Sequence, residues 1–317
     1  MKYSGLIYFP VLLLFLLLKT SPAVDAKTLQ RSFEVKTGGL LILDTDLGSI
    51  EIFSWDQPKV DVEVFREFRG WDEDKIADFL ENFPIEFSQQ NNTIEITGNF
   101  NRDWKTPGKN VSVSYEIRVP RKFNLDLRTS GGSISVDDLE GKVAAKTSGG
   151  SLKFGNIIGP VLANTSGGSI NLSGCTNDAS LRTSGGSITI GKVDGKIDAH
   201  TSGGSISIKQ SLGDVIAKSS GGSITAEEVR GSIDASTSGG SVNVAISKQP
   251  KENCRLETSG GTVNVSLAKD IAVNIDARTH SGRVKSDMAV SLTGKNKEDW
   301  LRGSINGGGP ELFLRTS

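Results

Sequence analysis

Apolar and polar side chains alternate in two short runs that return every 18 residues between Thr129 and Thr237. In the first run the apolar pairs are Ile134/Val136, Leu152/Phe154, Ile170/Leu172, Ile188/Ile190, Ile206/Ile208 and Ile224/Ala226. In the second they are Val143/Ala145, Val161/Ala163, Ala179/Leu181, Ile197/Ala199, Val215/Ala217 and Ile233/Ala235. Alternation at period two predicts strands with one buried face. Two strands per fixed period predict a solenoid, in which each repeat is one coil stacked on the next. The expected fold is therefore all-β, a parallel β-solenoid with 18-residue coils. No coil can stand alone, because a few aliphatic side chains do not offset the ordering of a whole repeat.

The two runs are punctuated by Thr-Ser-Gly-Gly, which begins at Thr129, Thr147, Thr165, Thr183, Thr201 and Thr237, with Ser-Ser-Gly-Gly at Ser219. A further copy at Thr258 and a worn one at Thr279 follow at 21-residue steps. If the Thr is position 1, Gly-Gly at positions 3 and 4 turns the chain, and a second glycine recurs at position 13 as Gly141, Gly159, Gly195, Gly213 and Gly231. Tight corners often call for positive φ, which glycine adopts at no steric cost. Alternation carries the inward face on to position 1, so a buried threonine ladder is expected, with Ser at positions 2 and 5 in outward ladders.

Outside the array the pattern loosens. Thr45-Asp46-Leu47-Gly48-Ser49-Ile50-Glu51-Ile52 reads as a worn repeat, and Val60, Val62 and Val64 alternate as a partner strand, with Trp55 between them. Ile76, Phe79, Leu80 and Phe83 fall at helical spacing within Asp72 to Phe83, with acids in the first turn. Strands at Thr93–Thr97 and Val111–Val119 lead into the array. Solenoid ends are unpaired sheet edges that need covering, so residues 27–127 are expected to be a degenerate coil and cap with one short helix. Trp71 and Trp104 are the candidate contact surface of that cap. At the other end, Ser304-Ile305-Asn306-Gly307-Gly308 is expected to restart a coil and Glu311–Leu314 to supply its second strand.

The lead-in Arg118-Val119-Pro120-Arg121-Lys122-Phe123-Asn124-Leu125-Asp126-Leu127-Arg128-Thr129-Ser130-Gly131-Gly132-Ser133-Ile134, followed by G-x-I-x-V repeats, resembles a bacterial family of Gly-rich β-strand repeat domains of unknown function, commonly carrying an adhesin label. The likeness covers roughly residues 110–317. The resemblance implies a surface or envelope role and transfers no catalytic residue.

Residues 1–26 carry an export pattern: Lys2, an apolar run from Leu6 to Leu18, then Ser21-Pro22-Ala23-Val24-Asp25-Ala26 with cleavage after Ala23 or Ala26. The run is shorter than the roughly 20 residues needed to span a bilayer, and no other stretch in the chain is long enough. The expected compartment is periplasmic, cell-surface or secreted, and the repeat domain is expected over residues 128–317. A net charge of -1 gives no general pull on nucleic acid. Cys175 and Cys254 stand four coils apart, about 19 Å at about 4.8 Å per coil, too far for the roughly 7 Å limit of a disulfide.

Chemistry-bearing constellations do not emerge. His200 and His280 lack any metal-ligand spacing, Asp137, Asp198, Asp214 and Asp234 fall in different columns, and no nucleophile elbow or phosphate loop occurs. No catalytic residue, metal site or cofactor is therefore assigned, and the chain is not read as an enzyme. One column is biased. Position 18 reads Arg128, Lys146, Asn164, Arg182, His200, Lys218 and Ser236. Stacked cations repel at about 1 kcal/mol per pair in water, so the column is either a solubilising stripe balanced by outward Asp126, Asp198 and Asp234, or a polyanion-binding track suited to an anionic envelope glycan. The functional expectation is an exported, non-catalytic structural or adhesive module of the cell envelope, with a glycan or another surface protein as partner. The alternatives are a polymer-forming envelope scaffold and a polysaccharide-active β-helix enzyme.

Overall fold

A computed structural model describes residues 28–101, 110–294 and 296–317. The export segment expected over residues 1–26 and the candidate contact Trp104 lie outside the described residues. The described chain forms two long sheets of 13 and 15 strands, facing each other across one aliphatic core. Each coil contributes one strand to each sheet. The ladders are parallel with a shift of one repeat: Ile188 lies beside Ile206, and Ile197 beside Val215. Equal register means that each inward column holds like side chains. The parallel β-solenoid is as the alternation predicts.

Position 1 shows why the coils lock together. The threonines are buried. Thr201 Oγ1 donates to the Gly186 carbonyl of the coil before at 2.7 Å and accepts from its own coil's Gly204 N–H at 3.2 Å. The same pair of bonds recurs at Thr147, Thr165, Thr183 and Ser219. One buried hydroxyl thus satisfies two corner groups that strand ladders cannot reach. At position 5 the serine hydroxyl accepts the backbone N–H of the next coil, as in Ser205 N–H to Ser187 Oγ at 3.1 Å.

The Gly-Gly corner owes its glycines to crowding, where the sequence had suggested positive φ. None of these pairs lies at positive φ. A Cβ on Gly204 would sit 2.1 Å from the Gly186 carbonyl oxygen, whereas on Gly203 it would meet the Gly185 oxygen at 3.0 Å. Position 4 therefore admits only glycine at this coil spacing. At position 13, Gly141 and Gly159 do have positive φ, at 151° and 154°, and Gly213 and Gly231 are required by close contact with the corner below.

Both cysteines are buried free thiols, and Cys175 lies between Ile157 and Val193 in an apolar column. Burial pushes its thiol up to about 11, which leaves it a small hydrophobe rather than a nucleophile.

The N-terminal region continues the same core. Thr45 stands beside Thr129 and Ile50 beside Ile134, so the worn repeat is a true coil. The Thr45 hydroxyl bonds the Gly98 carbonyl at 2.8 Å and the buried Tyr115 hydroxyl at 2.9 Å. Antiparallel strands then end the array: Lys59–Phe68 and Thr28–Glu34 on one sheet, Ile85–Gln90 on the other. The helix Glu73–Asn82 covers this end, N-capped by Asp72, whose carboxylate accepts from Lys75 N–H at 2.9 Å. Phe79 and Phe83 pack with Phe68, Trp71 and Phe100 in an aromatic cluster.

The C-terminal end departs from expectation. Ser304–Gly308 does not restart a coil. Trp300–Ile305 runs antiparallel to Val273–Thr279, and Asn306, Gly307 and Gly308 make the turn at positive φ. The last strand, Glu311–Thr316, returns to insert between Cys254–Thr258 and Val273–Thr279, parallel to both. There Thr316 takes the position-1 role, donating to the Gly261 carbonyl at 2.8 Å.

Removal of one ladder hydroxyl tests this account. Thr201→Val should lower stability by about 1–3 kcal/mol, since two corner groups lose their partner, while Thr201→Ser should stay near wild type, as Ser219 already does the same work. Gly204→Ala should cost about 3 kcal/mol and Gly203→Ala markedly less. Urea midpoints of the four variants provide the comparison.

Candidate functional site

The outward face of the 15-stranded sheet carries the position-18 column. Its members follow one another in register: Arg128 beside Lys146, Lys146 beside Asn164, Asn164 beside Arg182, Arg182 beside His200, His200 beside Lys218 and Lys218 beside Ser236. Strand geometry places these side chains on the solvent side because the inward positions on either flank are buried. Beyond Ser236, where the column read from the sequence stops, it continues through Glu257, Arg315 and Arg278.

Two residues earlier in each coil stands a second outward column, and its acids meet the stripe. Arg128 pairs with Asp126 at 3.1 Å, Lys218 with Asp234 at 3.7 Å, and Asp198 accepts from both Arg182 at 2.5 Å and His200 at 2.6 Å. All these groups are at least partly exposed, so the pairs are screened and worth little individually. Among the described residues Lys146 has no carboxylate within 4 Å. The stripe is thus balanced where Asp is available and cationic at Lys146, where the neighbouring column holds Ala144.

Beside the column runs a shallow groove of about 390 Å³, lined by Asn164, Arg182, His200, Lys218 and the serines Ser184, Ser202 and Ser220. The position-5 serines are consumed by inter-coil bonds. The position-2 serines are exposed, and among the described residues the hydroxyls of Ser184, Ser202 and Ser220 enter no internal hydrogen bond. Cations and unengaged hydroxyls therefore line the same groove across several coils.

Other sequence candidates fall elsewhere. Trp71 packs on Phe68 at 5.5 Å and Phe79 at 5.9 Å between ring centroids, half-buried in the cap cluster, far along the chain from the groove. Among the described residues no cluster of three or more His, Cys, Asp or Glu could hold a metal, and no helix is long and apolar enough to cross a membrane.

One polar cluster escaped the sequence reading. Asp276 accepts from Arg278 Nε at 3.1 Å, from Trp300 Nε1 at 3.1 Å and from Arg315, and the Arg278 guanidinium lies 4.4 Å from the Trp300 ring centre. It clasps the three last long strands of the sheet. Its sequence signal was available: Arg315-Thr316-Ser317 repeats the Arg-Thr-Ser of Arg128-Thr129-Ser130 and Arg182-Thr183-Ser184. Burial would raise the Asp276 carboxyl, but the hydrogen bonds from Arg278 and Trp300 and the Arg315 charge prevail and hold it below the usual aspartate range.

Fold and site together define a capped parallel β-solenoid with a hydroxyl-lined, cation-flanked groove on one outer face. The chain belongs to the Toastrack family DUF4097, whose profile matches residues 77–312. In fold it is similar to a putative adhesin of Bacteroides fragilis, at 17% identity over 77% of this chain and 98% of that one with a TM-score of 0.40. It is similar also to a putative lipid binding protein of Parabacteroides distasonis, at 17% identity over 77% and 98% with a TM-score of 0.42. Likeness of that degree says nothing about a ligand. No curated protein matches the chain.

The Asp276 clasp gives a pH dependence. A carboxyl held low in the folded state adds stability that is present above its unfolded value, near 3.8, and is lost as pH falls through the lowered one. Asp276→Asn should therefore be less stable than wild type at pH 7, with the gap closing below pH 3.8. Urea midpoints of both proteins across that range measure it.

Proposed function

We propose that the protein is an exported, non-catalytic module of the cell envelope that binds an extended anionic glycan along the position-18 groove. The observation that carries this reading is the division of labour between the two serine columns. Position 5 is spent on holding coils together, while position 2 presents hydroxyls beside Arg182, His200 and Lys218 with no structural duty. A repeating polar groove suits a repeating polymer, since each coil offers a serine hydroxyl at about 4.8 Å intervals. Cations supply attraction to carboxylate or phosphate groups, and the interleaved aspartates keep that attraction modest and salt-dependent. The Leu6–Leu18 run with its small-residue cleavage positions supports export, to the periplasm, the cell surface or the medium. Membership of a family without assigned chemistry is consistent with a binding role.

The test is binding of the mature protein to cell-envelope fractions and to a glycan array. The triple variant Lys146→Glu, Arg182→Glu, Lys218→Glu should bind at least about tenfold more weakly, and wild-type binding should fall as salt rises. Unchanged binding by a folded triple variant removes the groove from the function.

A further inference from the structure

At the centre of the groove cations and carboxylates are matched, and one further side chain there changes charge with pH. Arg182 and Lys218 belong to the position-18 column, Asp198 and Asp234 to the column beside it. Arg182 reaches Asp198 at 2.5 Å and Lys218 reaches Asp234 at 3.7 Å. These four charges cancel. With a neutral His200 the stretch therefore carries no net charge, and the nearest cation without a carboxylate partner among the described residues is Lys146, beyond Asn164.

His200 stands between the two matched cations. The register puts Arg182 on one side of it and Lys218 on the other. Asp198, on its own strand, lies 2.6 Å from Nε2. The neighbours of Asp198 in the second column are Ser180 and Ile216, which carry no charge. Ser184, Ser202 and Ser220 complete the surroundings along the groove. Arg182 holds one oxygen of the Asp198 carboxylate and His200 the other, so a proton on the imidazole meets a counter-charge that is already shared. The same contact fixes what each form of the ring presents. A carboxylate oxygen only accepts, so Nε2 carries hydrogen in both forms and Nδ1 is the nitrogen that varies. Among the described residues Nδ1 enters no hydrogen bond. In the neutral ring it is an acceptor, which an anion avoids; in the protonated ring it is a donor on a cation. Imidazole is the side chain whose ordinary charge change falls between about pH 5 and 8.

We propose that His200 sets the charge of the groove, so that protonation turns a neutral stretch into a net positive one and strengthens its hold on the anionic glycan as pH falls. The inference rests on the groove reading given above and adds its regulation. In the acidic form Arg182, His200 and Lys218 make an unbroken row of cations at about 4.8 Å spacing, set against two carboxylates. In the neutral form the serine hydroxyls remain, and long-range attraction at this stretch is lost. His280, the chain's other histidine, lines a separate hollow beside Trp300 and takes no part.

Dextran sulfate is the probe, because its sulfate esters stay charged throughout the range, and uncharged dextran is the control. The wild type should bind dextran sulfate about fivefold more tightly at about pH 5.5 than at about pH 7.5, the effect of one added charge close to an anion in water. His200→Gln should bind at both pH values as the wild type does at the higher one. His200→Lys should bind at both as the wild type does at the lower one. The side chain points outward and is partly exposed, so thermal melts of both variants should match the wild type. His280→Gln should keep the wild-type pH profile. If His200→Gln keeps that profile too, this inference is overturned while the groove reading stands. Equal binding of uncharged dextran also overturns it, because charge then has no part. Wild-type protein that binds dextran sulfate at neither pH, or binding that survives in the Lys146→Glu, Arg182→Glu, Lys218→Glu variant, removes the groove reading and this inference with it.

Discussion

The contact on which the molecule depends is the close stacking of one Gly-Gly corner on the carbonyl of the corner below. Strand ladders bring neighbouring chains to about 4.7–4.9 Å wherever they run, but a corner has no ladder to hold it. Here glycine at position 4 lets the corner close to the same spacing, with Cβ-sized space already filled by the oxygen of the preceding coil. The threonine hydroxyl bridges the same two corners from inside. With corners and strands at one spacing, the columns stay in register from coil to coil through the 18-residue repeats, until the 13-stranded sheet shifts by one residue between Ala226 and Val229. The outward stripe of Arg, Lys and His is a consequence of that register, because equal spacing converts a mild bias at one position into a line of charge.

Regular stacking leaves the largest departures to the ends. At the N-terminal end the Thr-Gly clasp is rebuilt from Thr45, Gly98 and Tyr115, and burial pushes the Tyr115 hydroxyl up to about 12. Antiparallel, charged strands and an aromatic-faced helix then finish it. At the C-terminal end one sheet is extended and clasped through Asp276 while its partner sheet stops short. End-to-end stacking is thereby opposed by the N-terminal cap, and the asymmetry leaves Val263–Leu267 as an uncharged, parallel edge strand.

Much of the candidate groove was legible in the sequence. The period of 18 places Arg182, His200 and Lys218 in one column, and the structure adds the partners, among them an Asp198 shared by Arg182 and His200. The difference between the two serine positions was not legible, since both alternate outward and only the inter-coil distance shows which hydroxyl reaches a backbone N–H. The reason for Gly-Gly was misread for the same cause. A glycine at a turn suggests backbone conformation, whereas the crowding that demands it comes from the coil below. Ser304–Gly308 looked like a coil start because the turn that carries the chain across the end of Val273–Thr279 and a coil corner draw on the same residues.

By itself the sequence determined what repeats: the number of residues per coil, the inward and outward faces, the buried threonines and the free cysteines, because each of these depends on nearest-neighbour stacking that the period records. Only the tertiary structure decided what happens once. That Glu311–Thr316 returns to lie between two earlier strands, that Asp276 gathers Arg278, Trp300 and Arg315, and that Val263–Leu267 is left as an open edge all rest on contacts between segments distant in sequence. No periodicity encodes such contacts, and they are settled by which strand edge offers the best unfilled place when the chain closes.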